Sequence, residues 1–417
     1  MTMATLDDIC ICRFCKATSN FTFVDLGMSP LCESYVSREQ LNQVESFYPL
    51  HVYVCPRCFL VQLAEYVGPE HIFTEYAYFS SYSDTWLEHC RTYTEMIVDR
   101  LGLGKNSLVV ELASNDGYLL QYFVARNIPV LGVEPARNVA EAAVRRAVPT
   151  LVEFFGTKAA ERMAGQGKRA DLLIGNNVLA QVPDLNDFVH GMKLLLKPDG
   201  VITMEFPHLV RLMQGNQFDT IYHEHFSYFS FTTAEKIFAA HGITLFDVEE
   251  LSSHGGSLRI YGRHAEDASK PLTRNVESLK RMEEQFGVGR IDCYADFNEQ
   301  VKETKRKILE FLITAKRQGK AVVGYGAPGK GNTLLNFCGI RTDFIDYTVD
   351  RNPYKQGKFL PGTHIPILHP DRIRETKPDY LFILPWNFRE EIMSQMACVR
   401  EWGGQFVVPI PEITVYP

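Results

Sequence analysis

The sequence predicts an α/β protein assembled from a small zinc-binding module, a Rossmann-like core and a second Rossmann-like lobe. Three observations carry that reading. Two C-x-x-C knuckles stand in one short N-terminal segment. From Ser107 an apolar strand pattern runs into a small-residue turn and then a helical pattern. From Ala321 a second strand–turn–helix unit begins, with glycines in its turn. Alternating strand and helix patterns between them indicate a mostly parallel sheet.

Composition sets the bounds. A chain of 417 residues, 46% hydrophobic, has ample core for several domains. The net charge of -7 argues against a general nucleic-acid binder. No apolar run reaches the roughly 18 residues of a membrane span, and no signal peptide is evident. Paired C-x-x-C spacing favours metal over disulfides. The expectation is a cytoplasmic protein, monomer or homodimer, with no membrane or nucleic-acid partner.

In chain order, residues 1–66 form the zinc module. Cys12-Arg13-Phe14-Cys15 and Cys55-Pro56-Arg57-Cys58 supply four thiolates, which leaves no open position, so the metal is expected to be structural. Cys10 lacks knuckle spacing, and Cys32 is expected in the core. Residues 67–267 form the core. The stretch Glu75–Tyr82 is rich in tyrosine and serine, and is either a lid over the crevice or a surface loop. Ser83 reads as an N-cap for a helix with Trp86, Cys90, Tyr93, Ile97 and Leu101 on its buried face.

The next stretch, S-L-V-V-E-L-A-S-N-D-G, is a buried strand, a tight turn and a helix start, the geometry of a nucleotide crevice. Glu111 closes the strand. Glu134 ends the next strand about twenty residues later, where a carboxylate accepts ribose hydroxyls. The turn lacks a full G-x-G-x-x-G, so a mononucleoside with a cationic tail suits it better than a dinucleotide. That description fits S-adenosylmethionine. The candidate cofactor residues are Glu111, Ala113, Asn115, Asp116, Gly117 and Glu134, with Asn177 at the end of a third strand. A fourth strand follows at Val201–Phe206, and two late strands close the sheet, the last expected antiparallel.

Between the fourth strand and the next helix lies Ile221-Tyr222-His223-Glu224-His225-Phe226. A metal pair would place His223 and His225 on one face of an extended segment, with no third ligand in view. The acid–base alternative uses a histidine as general base, a neighbouring carboxylate to orient it and a tyrosine hydroxyl to steady an oxyanion. The turn Ser253-His254-Gly255-Gly256 either lines the same site or is a plain hairpin.

Residues 268–320 read as a helical linker, and residues 321–417 as the C-terminal lobe. In G-Y-G-A-P-G-K-G, Lys330 stands where a phosphate at a helix N-terminus would meet a cation, and Lys355 adds to it. The same glycine turn, with Asp350 about twenty residues on, also resembles a dinucleotide fingerprint. An NAD-dependent oxidoreductase acting on a nucleotide sugar is therefore the alternative.

Taken together, the two knuckles, V-E-L-A-S-N-D-G, I-Y-H-E-H-F, H-G-G-S and G-Y-G-A-x-G-K-G resemble the S-adenosylmethionine-dependent nucleotide-sugar C-methyltransferases. The resemblance covers essentially the whole chain. It implies a class I methyltransferase core and methylation at C-3 of a nucleotide-diphosphate 4-keto-6-deoxy sugar. It implies catalysis by Tyr222, Glu224 and His225, with His225 as the base that forms an enolate, and sugar contacts from Tyr76 and Tyr78. Where relatives carry a histidine, this chain has Gln181, which cannot transfer a proton. Either that position only orients substrate or the sugar differs.

Overall fold

The computed structural model describes residues 10–73 and 79–417. Its centre is a seven-stranded sheet in the order Ile243–Leu251, Ser257–His264, Leu196–Pro207, Ala170–Asn176, Val109–Leu112, Val130–Val133, Thr150–Leu151. All neighbours run parallel except Ser257–His264, which is antiparallel to both of its partners. The expected antiparallel last strand is therefore present, inserted beside the fourth strand. Val109, Val110 and Leu112 are fully buried, as a strand covered on both faces must be. The chain leaves Val109–Leu112 toward one side and later returns on the other at Ala170–Asn176. This reversal opens a crevice at the carboxyl ends of the two strands.

The preceding helix, Asp84–Leu101, starts at Ser83, whose Oγ accepts from the Trp86 amide at 3.2 Å. Trp86, Cys90, Tyr93 and Ile97 are buried along it. Close packing at the crevice depends on Gly132, where a Cβ would come within 2.3 Å of Ser114 Oγ.

The N-terminal module contributes three strands, Phe21–Ser29, Tyr48–Val54 and Val61–Leu63, to a four-stranded antiparallel sheet. The fourth strand is Ser227–Tyr228, from the middle of the chain, paired with Val61 and Gln62. Helices Arg274–Phe286 and Phe297–Arg317 then lead to the C-terminal lobe. Its six-stranded sheet has the order Ile367–Leu368, Thr348–Val349, Val322–Tyr325, Tyr380–Ile383, Gln405–Val408, Thr414–Tyr416, parallel but for the last strand. One apolar core runs from the N-terminal sheet through helix Phe297–Arg317 into this lobe, joining Phe23, Val301, Ile308 and Leu381. Among the described residues, no helix is long and apolar enough to cross a membrane.

Candidate active site

The sulfurs of Cys12, Cys15, Cys55 and Cys58 lie within 4.8 Å of one another, with Cys12–Cys58 at 3.6 Å and Cys15–Cys55 at 3.4 Å. Zinc–sulfur bonds of about 2.3 Å give a tetrahedron with edges of about 3.8 Å, so the four thiolates fit the ion and close its coordination. Cys10 stands outside this group.

A cavity of about 400 Å³ begins at the sheet's switch point and runs to the C-terminal lobe. At its cofactor end, Ala113 and Asn115 hold left-handed conformations, φ 54° and 47°, in the turn after the first strand. Such angles are uncommon outside glycine and mark a turn held by its surroundings. Asn115 Oδ1 accepts from the Ser80 amide at 2.9 Å. Glu134 lines the cavity, and its two oxygens accept from the amides of Asn115 and Ala136 at 2.9 and 2.8 Å. Burial nonetheless pushes its carboxyl up to about 7. Each oxygen keeps a lone pair for a further donor. Asn177 also lines the cavity, and its Oδ1 is enclosed without a hydrogen-bond partner. These groups fit a ribose and an amino-acid tail.

Three expected cofactor residues lie behind the wall. Asp116 pairs with Arg146 at 2.8 Å and accepts from Ser81 Oγ, so its carboxylate fastens the turn. Gly117, at φ 76°, packs against Val148 and Ala143. Glu111 is fully buried and does not reach the cavity, whereas Tyr118 beside it does. Burial raises the Glu111 carboxyl well above the usual range.

The catalytic candidates sit in the middle of the cavity, on a segment that turns where the sequence suggested an extended run. The His225 amide donates to the Tyr222 carbonyl at 2.9 Å, which sends the two histidines apart. His223 packs edge-on against Tyr48, with Nε2 3.2 Å from the Pro49 carbonyl, away from the cavity. His225 faces the cavity and lies against the Tyr222 ring, centroids 4.1 Å apart. Its Nδ1 is 2.9 Å from the Thr220 carbonyl. A carbonyl only accepts, so Nδ1 carries the proton and Nε2 is left with a free lone pair. Burial, with Lys330 nearby, lowers its pKa to about 4, so the ring is neutral at pH 7. The expected orienting partner was Glu224. The backbone of Thr220 takes that role, and Glu224 Oε1 accepts from Cys32 Sγ at 3.4 Å. Burial keeps Tyr222 protonated, its pKa well above the usual tyrosine range, so its hydroxyl is a donor.

Three modules hold this segment. From the core, the Ala180 carbonyl accepts from the Phe226 amide at 2.7 Å, which sets Gln181 on the cavity wall. From the N-terminal module, the Leu63 amide donates to the Phe226 carbonyl at 3.0 Å. From the C-terminal lobe, Thr333 Oγ1 donates to the Ile221 carbonyl at 3.0 Å and Trp386 Nε1 to Asp219 at 2.6 Å.

Lys330 and Lys355 reach the same cavity and not a separate crevice in the C-terminal lobe. Lys355 Nζ donates to the Ala327 carbonyl at 2.9 Å and lies 3.6 Å from Glu33, so its charge is largely spent within the protein. Asp350, the acid of the fingerprint-like pattern, accepts from the amides of Ala327 and Asn352 at 2.8 Å each and so braces its own loop. Tyr76 and Tyr78 lie outside the described residues. Sequence reasoning missed Glu33, Trp86 and Asn387, and left His254 undecided, yet all four line the cavity. Cys32 is buried as expected, but against Glu224 of the candidate catalytic segment.

Three family models match the chain in order. They describe a zinc binding domain over residues 12–73, a methyltransferase domain over 86–248 and a C-methyltransferase C-terminal domain over 252–411. C-methyltransferase NovU of Streptomyces niveus is 36% identical over 401 residues, covering 96% of this chain and 95% of that protein. A ubiquinone biosynthesis O-methyltransferase of Bartonella tribocorum is 26% identical over 98 residues, 23% of this chain and 40% of that one. Among solved structures, magnesium protoporphyrin IX methyltransferase from Synechocystis matches 43% of this chain and 81% of its own at 14% identity, with a TM-score of 0.32.

Proposed function

The chain belongs to the S-adenosylmethionine-dependent C-methyltransferases, and we propose that it methylates C-3 of a nucleotide-diphosphate 4-keto-6-deoxy sugar through an enolate. The observation that carries this reading is His225. A neutral imidazole with its proton fixed on Nδ1 presents a bare Nε2 to a cavity that also holds Glu134 and Asn177. A C–H beside a ketone is acidic enough for such a base, because the resulting charge delocalises onto oxygen.

His225 takes the C-3 proton on Nε2, while Thr220 holds the ring in its tautomer. The Tyr222 hydroxyl donates toward the developing charge. Glu134 accepts the ribose hydroxyls of the cofactor, and Asn177 receives its amino group. S-adenosylmethionine, when bound, supplies an electrophilic methyl carbon. The protein's remaining task is to hold the sugar carbon in line with it, a matter of position. The zinc site is closed and on this reading takes no part in the transfer. Gln181, without a titratable proton, orients the sugar.

The test is mass spectrometry of the enzyme with S-adenosylmethionine and a panel of TDP-, UDP-, GDP- and CDP-linked 4-keto-6-deoxy sugars. A 14-Da gain on a sugar is expected. With S-adenosylhomocysteine in place of the methyl donor, the C-3 proton should exchange with D₂O, and His225→Asn should abolish both reactions. Full methylation by His225→Asn would refute the base assignment.

A further inference from the structure

One charged group in the cavity has no counterpart in the steps above. Lys330 enters at the first turn of helix Gly329–Cys338, half-buried and lining the cavity. Among the described residues its hydrogen-bond partner is Asn387 Oδ1, at 3.3 Å, and its Nζ stands 4.8 Å from the centre of the Trp386 ring. No carboxylate forms an ion pair with it among the described residues. Asp219 acts on it through its field; its Oδ2 is bonded by Trp386 Nε1 and its Oδ1 is buried without a hydrogen-bond partner. The charge is close enough to His225 and His254 to lower the proton affinity of both.

A partly desolvated ammonium that no carboxylate contacts directly is stabilised further when a ligand brings an anion to it. Two anions of the proposed substrate qualify, the diphosphate and the oxygen of the enolate. Charge balance separates them. The diphosphate carries about two negative charges throughout the reaction. Glu33 and Glu224 line the same space and would repel it, and Lys355 is already matched to Glu33. The enolate carries a single charge that appears only as the C-3 proton leaves. One ammonium lining the same cavity as the base matches that demand.

The surroundings also hold the opposite wall in place. Trp386, which carries the ammonium on its face, packs where a Cβ on Gly255 would lie 2.6 Å from its ring. Gly255 has φ 90°, beside His254 at φ 54°. Ser253 Oγ in that turn donates to Glu205 at 2.7 Å, and Glu205 is fully buried against Arg259 and His89, each 2.9 Å away. The turn is anchored to the sheet on one side and to Trp386 on the other, which fixes the ammonium relative to His225.

We propose that Lys330 is a catalytic residue whose ammonium binds the C-4 oxygen of the sugar and stabilises the enolate. This inference rests on the sugar reading above. As His225 Nε2 takes the C-3 proton, the C–H electron pair becomes the C-3–C-4 π bond. The carbonyl π pair moves onto oxygen, against Lys330. When the new C–C bond forms, that charge returns as the C-4 carbonyl. The electron pair of the broken carbon–sulfur bond stays on sulfur, and the proton leaves His225 for water.

The test uses the full-length protein with S-adenosylhomocysteine, D₂O and the panel of nucleotide 4-keto sugars. Lys330→Met should lower the exchange kcat by about 10²-fold or more. It should leave KM, and the affinity for TDP, UDP, GDP or CDP alone, within threefold. Burial lowers the lysine's pKa to about 8, so native kcat/KM should fall above that pH. Lys330→Arg should retain part of the rate and lose this alkaline fall, because a guanidinium does not titrate there. Affinity for S-adenosylhomocysteine and zinc content check that the variants are folded, and the profile of Lys330→Arg decides the matter if Lys330→Met is not. A tenfold weaker KM and nucleoside-diphosphate affinity with native kcat would assign Lys330 to the phosphates and overturn the proposal. Native exchange by both variants would overturn it as well. Failure of the native enzyme to exchange or methylate any sugar would overturn the sugar reading and this inference with it.

Discussion

Replacing Arg13 by methionine tests whether the zinc module reaches the chemistry through position. Arg13 lies between the ligands Cys12 and Cys15, but its guanidinium points toward the core. Nη1 donates to the Pro183 carbonyl at 3.0 Å, Nη2 donates to the Leu63 carbonyl, and the group lies 5.4 Å from the centre of the Phe226 ring. Pro183 follows Gln181 on the cavity wall, and Phe226 follows His225. Hydrogen bonds from a charged donor are worth about 1.5–3 kcal/mol each, and a cation–π contact about 0.5–2. The variant therefore gives up about 3.5–8 kcal/mol of local contact. The main-chain bonds of Phe226 to Ala180 and Leu63 remain, so the segment should loosen without unfolding. Misplacing a reacting group by about 1 Å costs about 10²-fold in rate. Methylation of the accepted sugar, followed by mass spectrometry, should show kcat lowered by about that factor. One zinc per chain by elemental analysis and native affinity for S-adenosylhomocysteine by calorimetry should persist. A kcat within threefold of native, with metal and ligand binding intact, would refute the coupling.

Cys58→Ser should release the metal and lower the melting temperature, measured by elemental analysis and thermal scanning, and retention of one zinc with unchanged melting would count against the four-thiolate site. Glu134→Gln should weaken S-adenosylmethionine about 10-fold or more by calorimetry, since a hydrogen bond to a charged acceptor is worth about 1.5–3 kcal/mol; unchanged affinity would place the ribose elsewhere. Burial lowers His225 to about 4, so below the ordinary histidine pKa the folded protein binds fewer protons than the unfolded chain. That contribution to stability is present above about pH 6.5 and is lost as pH falls toward 4. With His225 as the proposed base, the acid limb of kcat/KM should lie well below pH 6 in the native enzyme; a limb at 6.5 would mean that the base is a solvated histidine.

The sequence made legible what local pattern encodes. Buried strands, knuckle spacing and the acid at Glu134 each follow from a period or a fixed offset, and the sheet and the four-thiolate cluster follow from those. What it could not show is which distant groups share a wall. Glu33, His254 and Asn387 reach the cavity only because three modules close on it, and no local spacing records that. Asp116 and Gly117 show the opposite case, standing off the cavity wall. Their offset in the turn fits cofactor contact, but Arg146 and Val148, about thirty residues on, draw them away. His223 and His225 alternate on paper, yet the hydrogen bond from the His225 amide to the Tyr222 carbonyl curls the segment and separates them.

On the proposed reading, that curled segment gives a structural metal a part in this chemistry. From Phe218 to Tyr228 the chain has only one turn of 3-10 helix and a two-residue strand. It cannot fix an imidazole by its own regular hydrogen bonding. Its order comes from Ala180 in the core, Leu63 in the N-terminal sheet, and Thr333 and Trp386 in the C-terminal lobe. Ser227 and Tyr228 also complete the N-terminal sheet. A module of about sixty residues has little core of its own, so its rigidity depends on the metal. Loss of zinc would free one of the three supports and leave the other two to hold His225. On the proposed reading, the metal would act on the reaction from outside the cavity, by limiting where Nε2 can be.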